Sequence, residues 1–145
     1  MDIVIKELLD MIPQSQKDEV FKNSSEISPE FIGFIKQYKY LSEIIPKGFI
    51  VIDLGCGYNA QSFYFKNHKQ YIAVDCFPNL VCFKSENCLF HNITIHDFIF
   101  QILPTLNLDL ERVFAICAYV PDWYGQNINL TKSTFKNVYT YDPFI

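Results

Sequence analysis

An apolar run followed by two glycines, Phe49-Ile50-Val51-Ile52-Asp53-Leu54-Gly55-Cys56-Gly57-Tyr58-Asn59-Ala60, sets the fold class of this 145-residue chain. Phe49 to Ile52 is short, largely β-branched and apolar, the composition of a central parallel strand covered on both faces. Gly55 and Gly57 then remove two Cβ atoms within three positions, so the backbone can turn sharply and a ligand can approach it closely. From Ala60 to His68 the chain is long enough for a helix whose unpaired N–H groups would point back at that ligand. Strand, glycine turn and helix together predict a binding cradle.

Asp53-Leu54-Gly55-Cys56-Gly57 resembles motif I of the class I S-adenosylmethionine (SAM)-dependent methyltransferases. That resemblance implies a three-layer, Rossmann-like, doubly wound and mostly parallel α/β sheet of about five strands, with helices on both faces and a helical lead-in. It also implies that Asp53, Gly55, Cys56 and Gly57 line the cofactor site. A rival template fits the same residues, since Gly55-x-Gly57-x-x-Ala60 matches the dinucleotide fingerprint and Asp75 lies near the spacing of a ribose-binding acid. Asp53 separates the two. Unit charges roughly 4 Å apart interact by about 4 kcal/mol at an effective dielectric near 20, so an ionised Asp53 there would oppose a pyrophosphate but suit the ammonium and sulfonium of SAM.

One hundred and forty-five residues make one domain able to bury a substantial core. Half the residues are apolar and 19% are charged, which excludes a disordered chain. The formal charge of −4 argues against a general phosphate-backbone binder. No segment reaches the roughly eighteen apolar residues of a membrane span, and the N-terminus lacks the form of a secretory signal, so a cytoplasmic location is expected. The five cysteines are odd in number and form no C-x-x-C pair, which indicates neither a disulfide framework nor a zinc site but buried thiols.

Residues 1–48 read as the helical lead-in to a core at 49–145. Ile3, Ile5, Leu8, Leu9 and Ile12 suggest a short amphipathic helix ended by Pro13, and the stretch from Gln14 to Ser28 is polar, with Asn23-Ser24-Ser25 marking a loop. Ser28 is then a good N-cap, Pro29 suits the first helical position, and Phe31, Phe34, Ile35, Tyr38, Leu41 and Ile45 recur at helical spacing, predicting a helix over 29–45. By resemblance, Phe31 to Tyr40 would cover the cofactor or help choose the substrate; otherwise this helix simply covers the sheet.

Tyr71 to Val74 reads as the second strand, ended by Asp75, which either caps the next helix at Pro78 or takes both hydroxyls of a ribose with its two carboxylate oxygens. The resemblance implies the latter role. Cys76 and Phe77 would then flank an adenine. Cys88 to Ile93 is a third strand. After it, the resemblance implies that Asp97 accepts the adenine amino group and Phe98 packs on the ring; alternatively, Asp97 caps a helix from Phe98 to about Leu106. His91 and His96, five apart, are poorly spaced for a metal.

Val113 to Ala118 is a fourth strand whose carboxyl end, Cys117 included, should face the transferable methyl group. The loop beyond it holds Tyr119, Pro121, Asp122 and Trp123. It lacks the Asn/Asp-Pro-Pro-aromatic motif of amino-methyltransferases acting on nucleic-acid bases, yet offers an acid and rings, with Tyr119 and Asp122 as catalytic candidates. The alternative is a loop packed on the sheet edge. A helix over 123–135 and a fifth strand over Asn137 to Tyr141 follow. The family's usual C-terminal strands are missing, which leaves an open edge that a homodimer or a protein partner would cover. Two functions fit: methyl transfer to an unidentified acceptor, or a non-catalytic methyltransferase-like module that binds SAM or a partner protein.

Overall fold

Apolar side chains alternate along the central strands, and the two resulting sets go to opposite layers. The computed structural model describes residues 21–22, 26–27, 29–57, 60–76, 86–118 and 126–141. Two short strands, β1 (Phe21–Lys22) and β2 (Glu26–Ile27), pair antiparallel on either side of Asn23-Ser24-Ser25, the residues read from sequence as a loop. The main sheet follows: β3 (Ile50–Leu54), β4 (Gln70–Asp75), β5 (Cys88–Asn92), β6 (Val113–Ala118) and β7 (Asn137–Tyr141). All four ladders are parallel, in the order β5-β4-β3-β6-β7. The chain thus steps outward from β3 on one side and then returns to its other side, which puts the topological switch point between β3 and β6.

Ile50, Ile52 and Leu54 of β3, with Ile72 and Val74 of β4 and Val113, Ala115 and Cys117 of β6, form one apolar layer. Helix α2, a continuous helical segment over 95–106, covers it through Ile95, Phe98 and Ile99, and Phe135 completes it. Val51, Tyr71, Ala73, Ile116 and Ala118 face the other way, toward Tyr38, Leu41, Ile45 and Phe65. Tyr38 and Leu41 belong to α1 (Pro29–Ile44), which begins at its proline and stops before Pro46, in line with the predicted 29–45. Helix α3 (Gln126–Thr134) falls within the segment predicted helical, and β7 has the predicted bounds. The doubly wound α/β architecture with helices on both faces is therefore the observed one.

Two helices differ from expectation. The segment after the glycine turn is a six-residue 3-10 helix, Ala60–Phe65, rather than a helix to His68. Helix α2 starts earlier than predicted, because the Thr94 hydroxyl accepts from the Asp97 amide at 3.1 Å; Thr94, not Asp97, is the N-cap. A π-helical turn, Phe98–Ile102, interrupts α2 just before Pro104. Proline has no N–H and its ring would strike the carbonyl four residues earlier, so a widened turn accommodates it. The proposed helix near residues 3–12 lies outside the described residues.

Phe98 is fully buried beneath the sheet. It does not present its ring to an adenine, as the resemblance implied, because it is packed among the apolar side chains of the α2 layer and against the His91 ring. Phe98→Ala is expected to destabilise the fold by about 3–5 kcal/mol, the usual range for an aromatic cavity in a packed core. Urea unfolding would measure it, and a loss below about 1 kcal/mol would contradict the packing described.

Candidate functional site

Beyond Leu54 the backbone enters the left-handed region at Gly55 (φ 81°) and Gly57 (φ 59°), where a side chain is strained. Hydrogen bonds then fasten the turn to the end of β4. The Gly55 and Cys56 amides both donate to the Val74 carbonyl, at 2.7 and 3.0 Å. One residue on, the Gly57 amide donates to Asp75 Oδ2 at 3.0 Å. Asp75 is in turn tied to the end of β5, its carbonyl accepting from the Ile93 amide at 3.0 Å and from Asn92 Nδ2 at 3.2 Å. Among the described residues, a Cβ placed on Gly57 would meet nothing within 4 Å. The turn and Asp75 therefore sit together at the carboxyl ends of the strands, where ligands bind in open α/β sheets.

Asp53 corrects the sequence reading. Its carboxylate is wholly enclosed, accepting from the Tyr38 hydroxyl at 2.8 Å, from Gln61 Nε2 at 2.9 Å and from the Tyr71 hydroxyl. The register explains how: Ala73 lies directly opposite Asp53, and this small residue leaves Tyr71, two positions back on the same face, room to reach diagonally across. Burial pushes the Asp53 carboxyl up to about 6, a rise that the Tyr71, Gln61 and Tyr38 donors restrain and the nearby Asp75 charge adds to. Burial and the Asp53 charge together hold the Tyr71 hydroxyl well above the ordinary phenol range. A carboxylate so enclosed does not face a ligand's charge directly, and its expected discrimination against pyrophosphate is withdrawn. The sequence reading missed Tyr38, Gln61 and Tyr71. The available signal was a polar atom on each in segments otherwise destined for the core.

The other expected residues divide. Cys56 is buried and lends the site its backbone rather than its thiol. Cys117 is also buried, in the apolar layer opposite the Asp53 face, because side chains alternate along β6; the expectation that it faces a methyl group is corrected. Cys76, just past β4, is exposed, which also corrects the expectation of uniformly buried thiols. None of the four described cysteines forms a disulfide. Asp97 lies in the first turn of α2, its Oδ1 3.3 Å from His96 Nδ1. Phe77, Tyr119 and Asp122 lie outside the described residues. Among the described residues no helix is long and apolar enough to cross a membrane.

Neither a protein-family model nor a curated protein matches this chain. Among solved structures, a putative type II methyltransferase from Anaeromyxobacter dehalogenans aligns with a TM-score of 0.51 at 18% identity, over 74% of this chain and 47% of that one. The chain shares the fold of that protein. Coclaurine N-methyltransferase, solved with N-methylheliamine and SAH, aligns at 17% identity with a TM-score of 0.49, over 92% of this chain and 42% of that one. The chain thus spans less than half the length of either solved methyltransferase. Within this fold, the glycine turn follows β3, which borders the switch point, and Asp75 ends β4, the next strand out.

Proposed function

We propose that the chain binds SAM across the carboxyl ends of β3 and β4 and transfers its methyl group to an acceptor nucleophile. One observation carries the reading: Gly57 holds the Asp75 carboxylate with its N–H while no described residue fills the side-chain position of Gly57. The backbone of Gly55, Cys56 and Gly57 would hold the amino-acid part of the cofactor, and Asp75 the ribose hydroxyls. Cys76 and Phe77 follow Asp75 and would flank the adenine, with Asp97 taking its amino group. When bound, SAM supplies an electrophilic methyl on a sulfonium. Tyr119 and Asp122, which follow β6 in sequence, would align the acceptor and take its proton. The absence of disulfides among the described cysteines fits a reducing, cytoplasmic location. The outer edge of β7, which has no neighbouring strand among the described residues, would suit a second copy or a protein partner.

A dinucleotide is the poorer fit. Its pyrophosphate needs the aligned N–H groups of a helix start, and a six-residue 3-10 helix offers few of them in good geometry. Calorimetric titration with SAM, its demethylated product S-adenosylhomocysteine (SAH) and NAD tests the choice. SAM and SAH are expected to bind and NAD is not; NAD binding without SAM would overturn the reading. Transfer of a labelled methyl group to candidate acceptors comes next, and tight SAM binding with persistent failure of transfer would indicate a binding module instead. Gly57→Ala is expected to cost about 1 kcal/mol of stability, because alanine resists the left-handed conformation. It should also weaken SAH at least tenfold by placing a methyl in the ligand's space. Unchanged SAH affinity in that variant would remove Gly57 from the site.

A further inference from the structure

The peptide unit joining Cys56 to Gly57 is gripped at both ends. Its N–H donates to Asp75 Oδ2 at 3.0 Å, and its carbonyl accepts from Gln61 Nε2 at 2.7 Å. The second Gln61 N–H is anchored on Asp53 Oδ2 at 2.9 Å, so the amide bridges the buried acid and the turn. Gln61 is itself fully buried, and its Oε1 has no hydrogen-bond partner among the described residues. Only one amide orientation suits the site, because turning it over would aim Oε1 at two acceptors. A buried amide with an unsatisfied oxygen is costly, which marks the two N–H bonds as the reason for a glutamine here. The grip also answers a specific weakness. Glycine tolerates both orientations of the peptide that precedes it, so without a donor on the Cys56 carbonyl this plane could rotate and withdraw the Gly57 N–H from Asp75.

We infer that Gln61 is a positioning residue for cofactor binding: it fixes the Cys56–Gly57 peptide plane, and through the Gly57 N–H it orients the Asp75 carboxylate. The inference rests on the proposed binding of SAM at this turn. Gln61→Met keeps the length of the side chain and removes the amide. The Gly57 amide is expected to exchange with deuterium at least tenfold faster in this variant, relative to the amides of β4, and SAH to bind at least tenfold more weakly. Ile99→Ala, a cavity in the opposite layer, is the control for lost stability; it should lower the melting temperature while leaving both quantities within twofold of wild type. A protected Gly57 amide in Gln61→Met would overturn the inference, as would equal losses of affinity in the control. Should Gln61→Met fail to fold, the wild-type protein still decides. A scalar coupling across the hydrogen bond from Gln61 Nε2 to the Cys56 carbonyl carbon is expected by NMR, and rapid exchange of the Gln61 side-chain amide would refute the grip. If wild-type protein fails to bind SAM or SAH, the functional reading falls, while the exchange experiment still tests the role of Gln61 in the turn.

Discussion

Asp75→Ala is expected to weaken SAH binding about a hundredfold and to cost the free protein about 1.5–3 kcal/mol through the lost Gly57 hydrogen bond. The carboxylate lies at the end of β4 with 8% of the residue exposed, and one of its oxygens takes the Gly57 amide. Its other proposed partners are ribose hydroxyls. Hydrogen bonds to a charged group contribute roughly 1.5–3 kcal/mol each. Losing two of them amounts to at least about 3 kcal/mol, or two decades of affinity at 1.4 kcal/mol per decade. Asp75→Asn keeps an acceptor for Gly57 but loses the charge, and should fall between wild type and alanine. Calorimetry with SAH on the three proteins checks the order, and alanine binding within fivefold of wild type would remove Asp75 from the site.

Asp53→Asn should change how stability depends on pH. The folded-state carboxyl sits at about 6 against an ordinary 3.8, so between these values the folded protein holds more protons than the unfolded chain. Stability from this group is therefore full below about pH 4 and declines as pH rises through 6. The shift of about two units corresponds to roughly 3 kcal/mol by pH 7. Asparagine removes that window, and with its NH2 on the Oδ1 side it can donate to the Tyr38 hydroxyl, which accepts as well as donates, while its oxygen still accepts from Gln61 and Tyr71. His68 acts with the opposite sign. Its Nε2 faces the Ile45 carbonyl at 3.0 Å, and burial holds its pKa below the ordinary 6.5, so its contribution is full above that value and declines as pH falls. The comparison of wild type with Asp53→Asn cancels His68. Urea unfolding at pH 4 and pH 7 should show the variant gaining up to about 3 kcal/mol relative to wild type at the higher pH; a difference constant with pH would contradict the enclosed carboxyl.

The sheet and the turn were legible because their signals are local. Apolar runs ending in Asp53 and Asp75, two glycines after β3, and Pro29 opening α1 each lie within a few residues of what they specify. The roles of the two acids were not separable in the same way. Asp53 meets donors 15 residues earlier, 8 later and 18 later, on three different elements, and no spacing rule joins Tyr38, Gln61 and Tyr71. Phe98 was misread because an aromatic after a strand fits a stacking role and a core role equally in one dimension. The Thr94 cap was readable, since Thr94-Ile95-His96-Asp97 is a Thr-x-x-Asp pattern before an apolar run. Burial alone decided the case of Cys117, whose neighbours come from packing between strands and α2.

Asp53 also has a bearing on which strand alignment can form. The run from Phe49 to Leu54 is apolar on both faces apart from this one acid, and such a strand specifies its alignment weakly by hydrophobicity alone. Sliding β3 by one residue against β4 and β6 would turn Asp53 into the layer of Ile72, Phe98 and Ile99, where it would be an ionisable group buried among hydrocarbon. The same slip would leave Tyr38, Gln61 and Tyr71 aimed at an aliphatic side chain. A stranded buried carboxylate costs several kcal/mol, and each abandoned donor roughly 1–3 more. One acid in the middle of a greasy strand thus serves as a proofreader of the sheet, rejecting the offset pairings that its apolar neighbours would accept.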